Sequence, residues 1–178
     1  MNYLAVALKA SVCLKGSVSL MDVKFGMDRN WRLLDLSAFA LRLALAASFL
    51  SAVADRFGIW GKPGEPRVSW GDFAHFIAYT KRLTSIAPQP LGPSMARIAT
   101  VAEIVLALAL LVGWQTRTAA FLSGLLLLLF ALAMAFSLGI KAPLDFSVFS
   151  AATGAFLLSG IDRYKLSLDD RKSKVGSR

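Results

Sequence analysis

Three ionisable residues stand inside stretches that are otherwise apolar: Arg42, Glu103 and Asp145. A charged side chain in hydrocarbon is costly, so each is a candidate for binding or proton transfer by default. An isolated carboxylate there takes up a proton rather than staying charged. Glu103 is therefore expected within reach of Arg42, Arg56 or Arg97, or of a water-filled pocket. Asp55, Arg56 and Arg97 sit at the ends of apolar stretches, and His75 sits in a polar connection between two of them. The candidates for a ligand pocket are thus Arg42, Asp55, Arg56, His75, Arg97, Glu103 and Asp145. Two readings fit the group: a mixed-charge pocket for a small molecule, or a buried Arg56–Glu103 pair that only locks helix register. His75 is either a ligand contact or proton-transfer group, or a polar rim residue among Phe73, Phe76 and Tyr79. Asp145 follows Pro143, so it either joins the pocket or complements a helix N-terminus.

The elements that position these residues are four apolar stretches. They run from about Leu36 to Ala54, Met95 to Gly113, Thr118 to Ile140 and Ala142 to Ile161. Crossing a hydrocarbon core of roughly 30 Å takes about 20 helical residues, and a chain in lipid must satisfy its own backbone, so each stretch should be helix. The third has no charge at all. At about 1.5 Å per residue, Glu103 lies roughly 12 Å deep from one face and Arg42 about 9 Å from the other, leaving an axial gap of order 10 Å that the two side chains can largely bridge. On the fourth stretch Ser147, Ser150, Ala151, Gly154 and Ala155 make a small-residue face suited to close helix packing.

Between the first two stretches, Gly58, Gly61, Pro63, Gly64 and Pro66 open a turn-rich connection. Phe73, Phe76, Ile77, Leu83 and Ile86 then recur at helical spacing. Ser69 with Asp72 is a weak capping-box start, and Pro88, Pro90 and Pro93 end the segment. This predicts an amphipathic helix of about 16 residues, on the membrane surface or over the bundle mouth. Trp60 and Trp70 fit an interfacial aromatic belt. The fold class is therefore all-α: an integral membrane four-helix bundle with a short amphipathic helix in the first outer loop. Its parts are an N-terminal tail over 1–35, either poorly ordered or the product of a start codon placed too early, the bundle over 36–161, and a basic tail over 162–178.

Composition agrees. Of 178 residues 56% are hydrophobic and 17% charged, and mean hydropathy is +0.59, where soluble domains carry about a quarter charged residues. The hydrophobic excess excludes disorder and speaks against an ordinary cytosolic enzyme fold. The net charge of +9 does not point to nucleic acid, because the basic residues crowd the termini and flank the apolar spans instead of interleaving with aromatics. Twelve Lys and Arg fall on the side of the tails and the second loop, against six on the side of the first and third loops. That asymmetry places both termini on the cytoplasmic side of the membrane, and the family resemblance given below implies that this is a bacterial inner membrane.

One cysteine, Cys13, and one histidine exclude an intrachain dithiol, bis-His haem and a Cys/His zinc site. There is no phosphate loop, no G-x-S-x-G and no metal-ligand spacing.

Leu41-Arg42-Leu43, the Asp55-Arg56 pair, Ala102-Glu103, Leu110-Leu111-Val112-Gly113 and Thr116-Arg117 occur in order along the spans. With Gly139 to Asp145 and Ser147 to Ser150, they resemble the DoxX family of small four-helix bacterial membrane proteins over about Leu36 to Ser159. The resemblance implies a membrane subunit or accessory of a redox system, with quinone as a candidate cofactor, a soluble oxidoreductase as a candidate partner, and polar positions at Arg42, Glu103 and Arg117. The alternative is a non-catalytic transporter or assembly factor that binds a lipid-like or anionic small molecule in the outer pocket.

Overall fold

A computed structural model describes residues 32–84, 88–161, 164 and 167–169. Cys13, the tail over 1–31 and most of the basic C-terminal tail lie outside the described residues. The described secondary structure is helical throughout. Helix α1 spans Arg32–Arg56. Helix α2 spans Phe73–Leu83, and a short 3-10 turn, Gln89–Leu91, leads into α3, Gly92–Val112. Then come α4, Thr116–Leu138, α5, Lys141–Asp145, and α6, Val148–Ser159. The chain divides into two units at Ser37. Of the first, only 32–37 are described, as the opening turns of α1.

Three helices, α1, α3 and α4, are long and apolar enough to cross a membrane. The fourth predicted stretch differs from expectation. It is broken into the five residues of α5 and the 12 residues of α6, and at about 1.5 Å per residue α6 measures roughly 18 Å, short of a 30 Å core. The break lies at Phe146–Ser147, where Ser147 takes a left-handed φ of 54°. Pro143, buried within α5, has no N–H to give a continuous ladder. Asp145 therefore ends α5 instead of opening a long helix, and it pairs with Lys141 one turn earlier.

The core follows from spacing. On α1 the buried positions Ala38, Arg42, Leu45, Ala46, Phe49, Val53 and Arg56 recur every three or four residues. On α3 the stripe is Ala96, Thr100, Glu103, Ala107 and Leu110. Both are the pattern of one helix face turned inward. Ala119 and Ala120 of α4 and Ala155 and Leu158 of α6 complete a core shared by all four helices. Small residues let the backbones approach closely. At Gly124 a Cβ would come within 2.8 Å of the Phe156 ring, which is why α4 and α6 lie in close contact there.

Helix α2 is real but shorter than the pattern predicts. Asp72 is its N-cap and accepts the His75 N–H, and its C-cap is Thr84, before any of the prolines. It buries Phe76, and its last carbonyls are tied to the bundle by Ser137, whose hydroxyl donates to the Leu83 carbonyl at 2.7 Å.

Candidate functional site

The α1 and α3 stripes place two opposite charges on facing surfaces. Nη2 of Arg56, the last residue of α1, donates to Oε1 of Glu103 at 2.8 Å. Nη1 donates to the Thr100 hydroxyl, one turn earlier on α3, also at 2.8 Å. That hydroxyl in turn donates to the Ala96 carbonyl at 2.9 Å. All three side chains are buried. Glu103 is thus paired, as its depth requires, and its partner is Arg56.

The connection after α1 closes the cluster. The guanidinium lies 3.7 Å from the Phe76 ring centroid and 5.3 Å from that of Trp70. A desolvated cation on an aromatic face gains about 2 kcal/mol. Trp70 meets Phe76 edge-on and tilts against Tyr79. Asp55, adjacent to Arg56 in the chain, turns to the connection: its Oδ2 accepts the backbone N–H groups of Ser69 and Trp70 at 3.1 and 3.0 Å. Asp55 fixes the turn that brings Trp70 over Arg56. Burial pushes the Tyr79 phenol above its ordinary value, with Arg82 opposing.

Three buried polar atoms in this cluster have no hydrogen-bond partner: Asp55 Oδ1, Arg56 Nε and Glu103 Oε2. Such atoms are rare and cost free energy unless something meets them.

Arg42 lies elsewhere. It does not bridge to Glu103. Its Nε donates to the Leu110 carbonyl at 2.8 Å and Nη2 reaches the Leu111 carbonyl at 3.5 Å, so it caps the C-terminus of α3 at the opposite end of the helix. That end is closed by the C-terminal segment. Asp169 accepts the Gln115 N–H, the Thr116 N–H and the Thr116 hydroxyl at 3.0, 2.8 and 2.8 Å, serving as the cap that α4 lacks from its own Gln115. Its carboxylate also acts on Arg42 electrostatically. The turn between α3 and α4 needs Gly113: its φ is 73°, and a Cβ there would meet Ser167 at 2.5 Å and Arg42 Nη2 at 3.0 Å.

The structure brings together Asp55, Arg56 and Glu103. His75, Arg97 and Asp145 are exposed and outside this cluster. His75 serves the α2 start: its ring Nδ1 is 2.8 Å from Asp72 Oδ1. The backbone N–H of His75, and then its ring, hold the Asp72 carboxyl below its ordinary value. Trp60 is exposed, its indole N–H on the Ser51 carbonyl. Trp70 belongs to the cluster. Thr100 and Asp169 were not among the sequence candidates. Thr100 was legible as the residue one turn before Glu103 on the same stripe; Asp169, in a polar tail, carries no periodic signal. Among the described residues no group of His, Cys, Asp and Glu could hold a metal ion.

A separate groove of about 350 Å³ runs between α3 and α4, lined by Ala102, Val105, Leu106, Leu122, Leu125, Leu126 and Leu129. None of the cluster residues lines it.

The family model of the methylamine utilisation protein MauE matches residues 34–145, more than half of the chain. No curated protein and no solved structure matches. This corrects the DoxX expectation. The motifs behind it were short and mostly apolar, and such strings recur in many membrane helices. The quinone expectation rested on that resemblance and has no other support.

Proposed function

The chain belongs to the family of the methylamine utilisation protein MauE, and from that premise we propose that it is a membrane-embedded accessory of a redox system of amine utilisation, with no redox centre of its own. Oxidising an amine removes electrons, which takes a cofactor or a dithiol. The single cysteine and single histidine of the sequence offer no dithiol and no paired ligands for such a centre, so this reading gives the redox chemistry to a partner. The observation that carries this reading is the Arg56–Glu103 pair under α2. A buried pair is expensive to keep, and it packs under Phe76 of α2, a helix that carries Lys81 and Arg82 in its last turn, where a soluble oxidoreductase can touch it.

The same proposal takes the membrane to be a bacterial inner membrane, and on the twelve-to-six Lys and Arg asymmetry it puts both termini in the cytoplasm and α2 outside. It takes α5 and α6 together as a fourth, broken crossing, supported by the position of Ala155 and Leu158 in the shared core.

Affinity purification from native membranes tests the function. A soluble oxidoreductase subunit should co-purify with the wild-type chain and be lost when Lys81 and Arg82 are both replaced by Glu. Recovery of the chain with lipid alone rejects the proposal. Deletion of the gene should impair growth on methylamine more than growth on other substrates.

A further inference from the structure

The turn that follows α1, over 57–60, sends its apolar side chains outward. Phe57, Ile59 and Trp60 are 61%, 73% and 61% exposed. Single exposed apolar residues are ordinary, but three side by side in one turn make a patch that marks a contact surface. The donors of the turn point the other way. The backbone N–H groups of Phe57 and Ile59 both donate to the Ala54 carbonyl, at 3.2 and 3.0 Å, and that of Gly58 donates to the Asp55 carbonyl at 3.1 Å. The Trp60 indole N–H donates to the Ser51 carbonyl at 3.1 Å. Ser51 stands more than one helical turn before Arg56, the end of α1, so Trp60 folds back along the span instead of leading away from it. Gly58 permits the fold-back: its φ is 72°, and a Cβ there would meet the Gly71 carbonyl at 2.9 Å.

We propose that this turn is an anchor in the lipid interface on the α2 side of the membrane, its partner the glycerol and upper acyl region of phospholipids. Water would meet free donors without cost, whereas lipid would not, and this turn bonds three backbone donors and its indole internally, as an apolar surrounding requires. Its place agrees. It directly continues a helix apolar enough to cross a membrane, and Lys62 beside it is exposed. In that arrangement rings sit just below the headgroups while the basic side chain reaches up to them. The anchor also bears on α2, because the Phe57 ring stacks on that of Phe73, the first residue of α2, with centroids 6.1 Å apart and planes inclined by 18°. Lipid held at the turn thereby helps to fix α2 over Arg56. The inference rests on this turn and on the apolar spans, and not on the proposed function.

Spin-label accessibility in vesicles of phosphatidylethanolamine and phosphatidylglycerol tests it. With Cys13 replaced by Ser, the full chain carries a single nitroxide at Ile59→Cys, or at Lys62→Cys as the reference in water. Oxygen concentrates in lipid and a neutral nickel chelate in water, so the ratio of their collision rates reads the surroundings of the label. The oxygen-to-nickel ratio at Ile59→Cys should exceed that at Lys62→Cys several-fold. Equal ratios put the turn in water and overturn the proposal. A label at Ile59→Cys that neither reagent reaches overturns it too, since protein then covers the turn. Phe57→Cys, at a second exposed side chain, should read as Ile59→Cys does, and if one of the two variants does not fold the other decides.

Discussion

The Arg56 guanidinium and the Glu103 carboxylate meet at 2.8 Å across 47 residues of chain, with 3% and 1% of their side chains exposed. Removing one member of such a pair leaves the other charged, buried and alone, whereas removing both leaves only a packing problem.

Glu103→Gln keeps volume and hydrogen-bonding reach but leaves Arg56 without its counter-charge. It should destabilise the protein by about 3 kcal/mol or more. The double variant Arg56→Met with Glu103→Leu should recover most of that loss. Both should lose function in cells. Thermal unfolding in detergent, read beside growth, separates the two effects. A double variant as unstable as Glu103→Gln contradicts the pairing.

At the opposite end, Arg42 and Asp169 close the turn between α3 and α4. Arg42→Met removes a charged donor from the Leu110 carbonyl and should cost about 1.5 to 3 kcal/mol. Asp169→Ala removes the cap of α4 and should cost about 0.5 to 2 kcal/mol. Both residues serve one turn and interact, so the double variant should cost less than the sum. Strict additivity in denaturation experiments would show that the two act independently.

The Asp72 carboxyl is held below its ordinary value by the N–H and ring of His75. The sign follows from linkage. A depressed carboxyl contributes stability that is present above its unfolded value, about 3.9, and is lost as pH falls through the lower folded value. Helix α2 should therefore loosen below about pH 4, reported by Trp70 fluorescence, since Trp70 packs on Phe76 and Tyr79. Asp72→Ala should loosen α2 at neutral pH and flatten that acid limb. An unchanged acid limb assigns it to another group.

The orientation can be read directly. With Cys13 replaced by Ser, Lys62→Cys and Ser177→Cys should be labelled from opposite sides of the membrane. Lys62 is exposed at the α2 end, so labelling of both from one side would refute the assigned topology.

Much of this protein is legible in its sequence. Apolar length alone determined the all-helical class and the spans that became α1, α3 and α4, because lipid leaves a buried backbone no other way to satisfy itself. Periodicity found α2, and the cost of burying charge singled out Arg42 and Glu103 without any fold. What tertiary structure decided was pairing. Depth along an axis is a property of one helix, whereas contact depends on how two helices are rotated against each other, and each residue turns the direction by about 100°. Arg42 and Arg56 both sit on the inward stripe of α1, so the sequence leaves both as partners for Glu103. Only the packing sends Arg42 to the end of α3 and Arg56 to Glu103. The break at Ser147 and the reach of Asp169 back to Thr116 have the same character. Hydropathy registers neither a left-handed residue in an apolar run nor a polar tail residue folding onto a distant helix end, because both depend on neighbours far away in the chain.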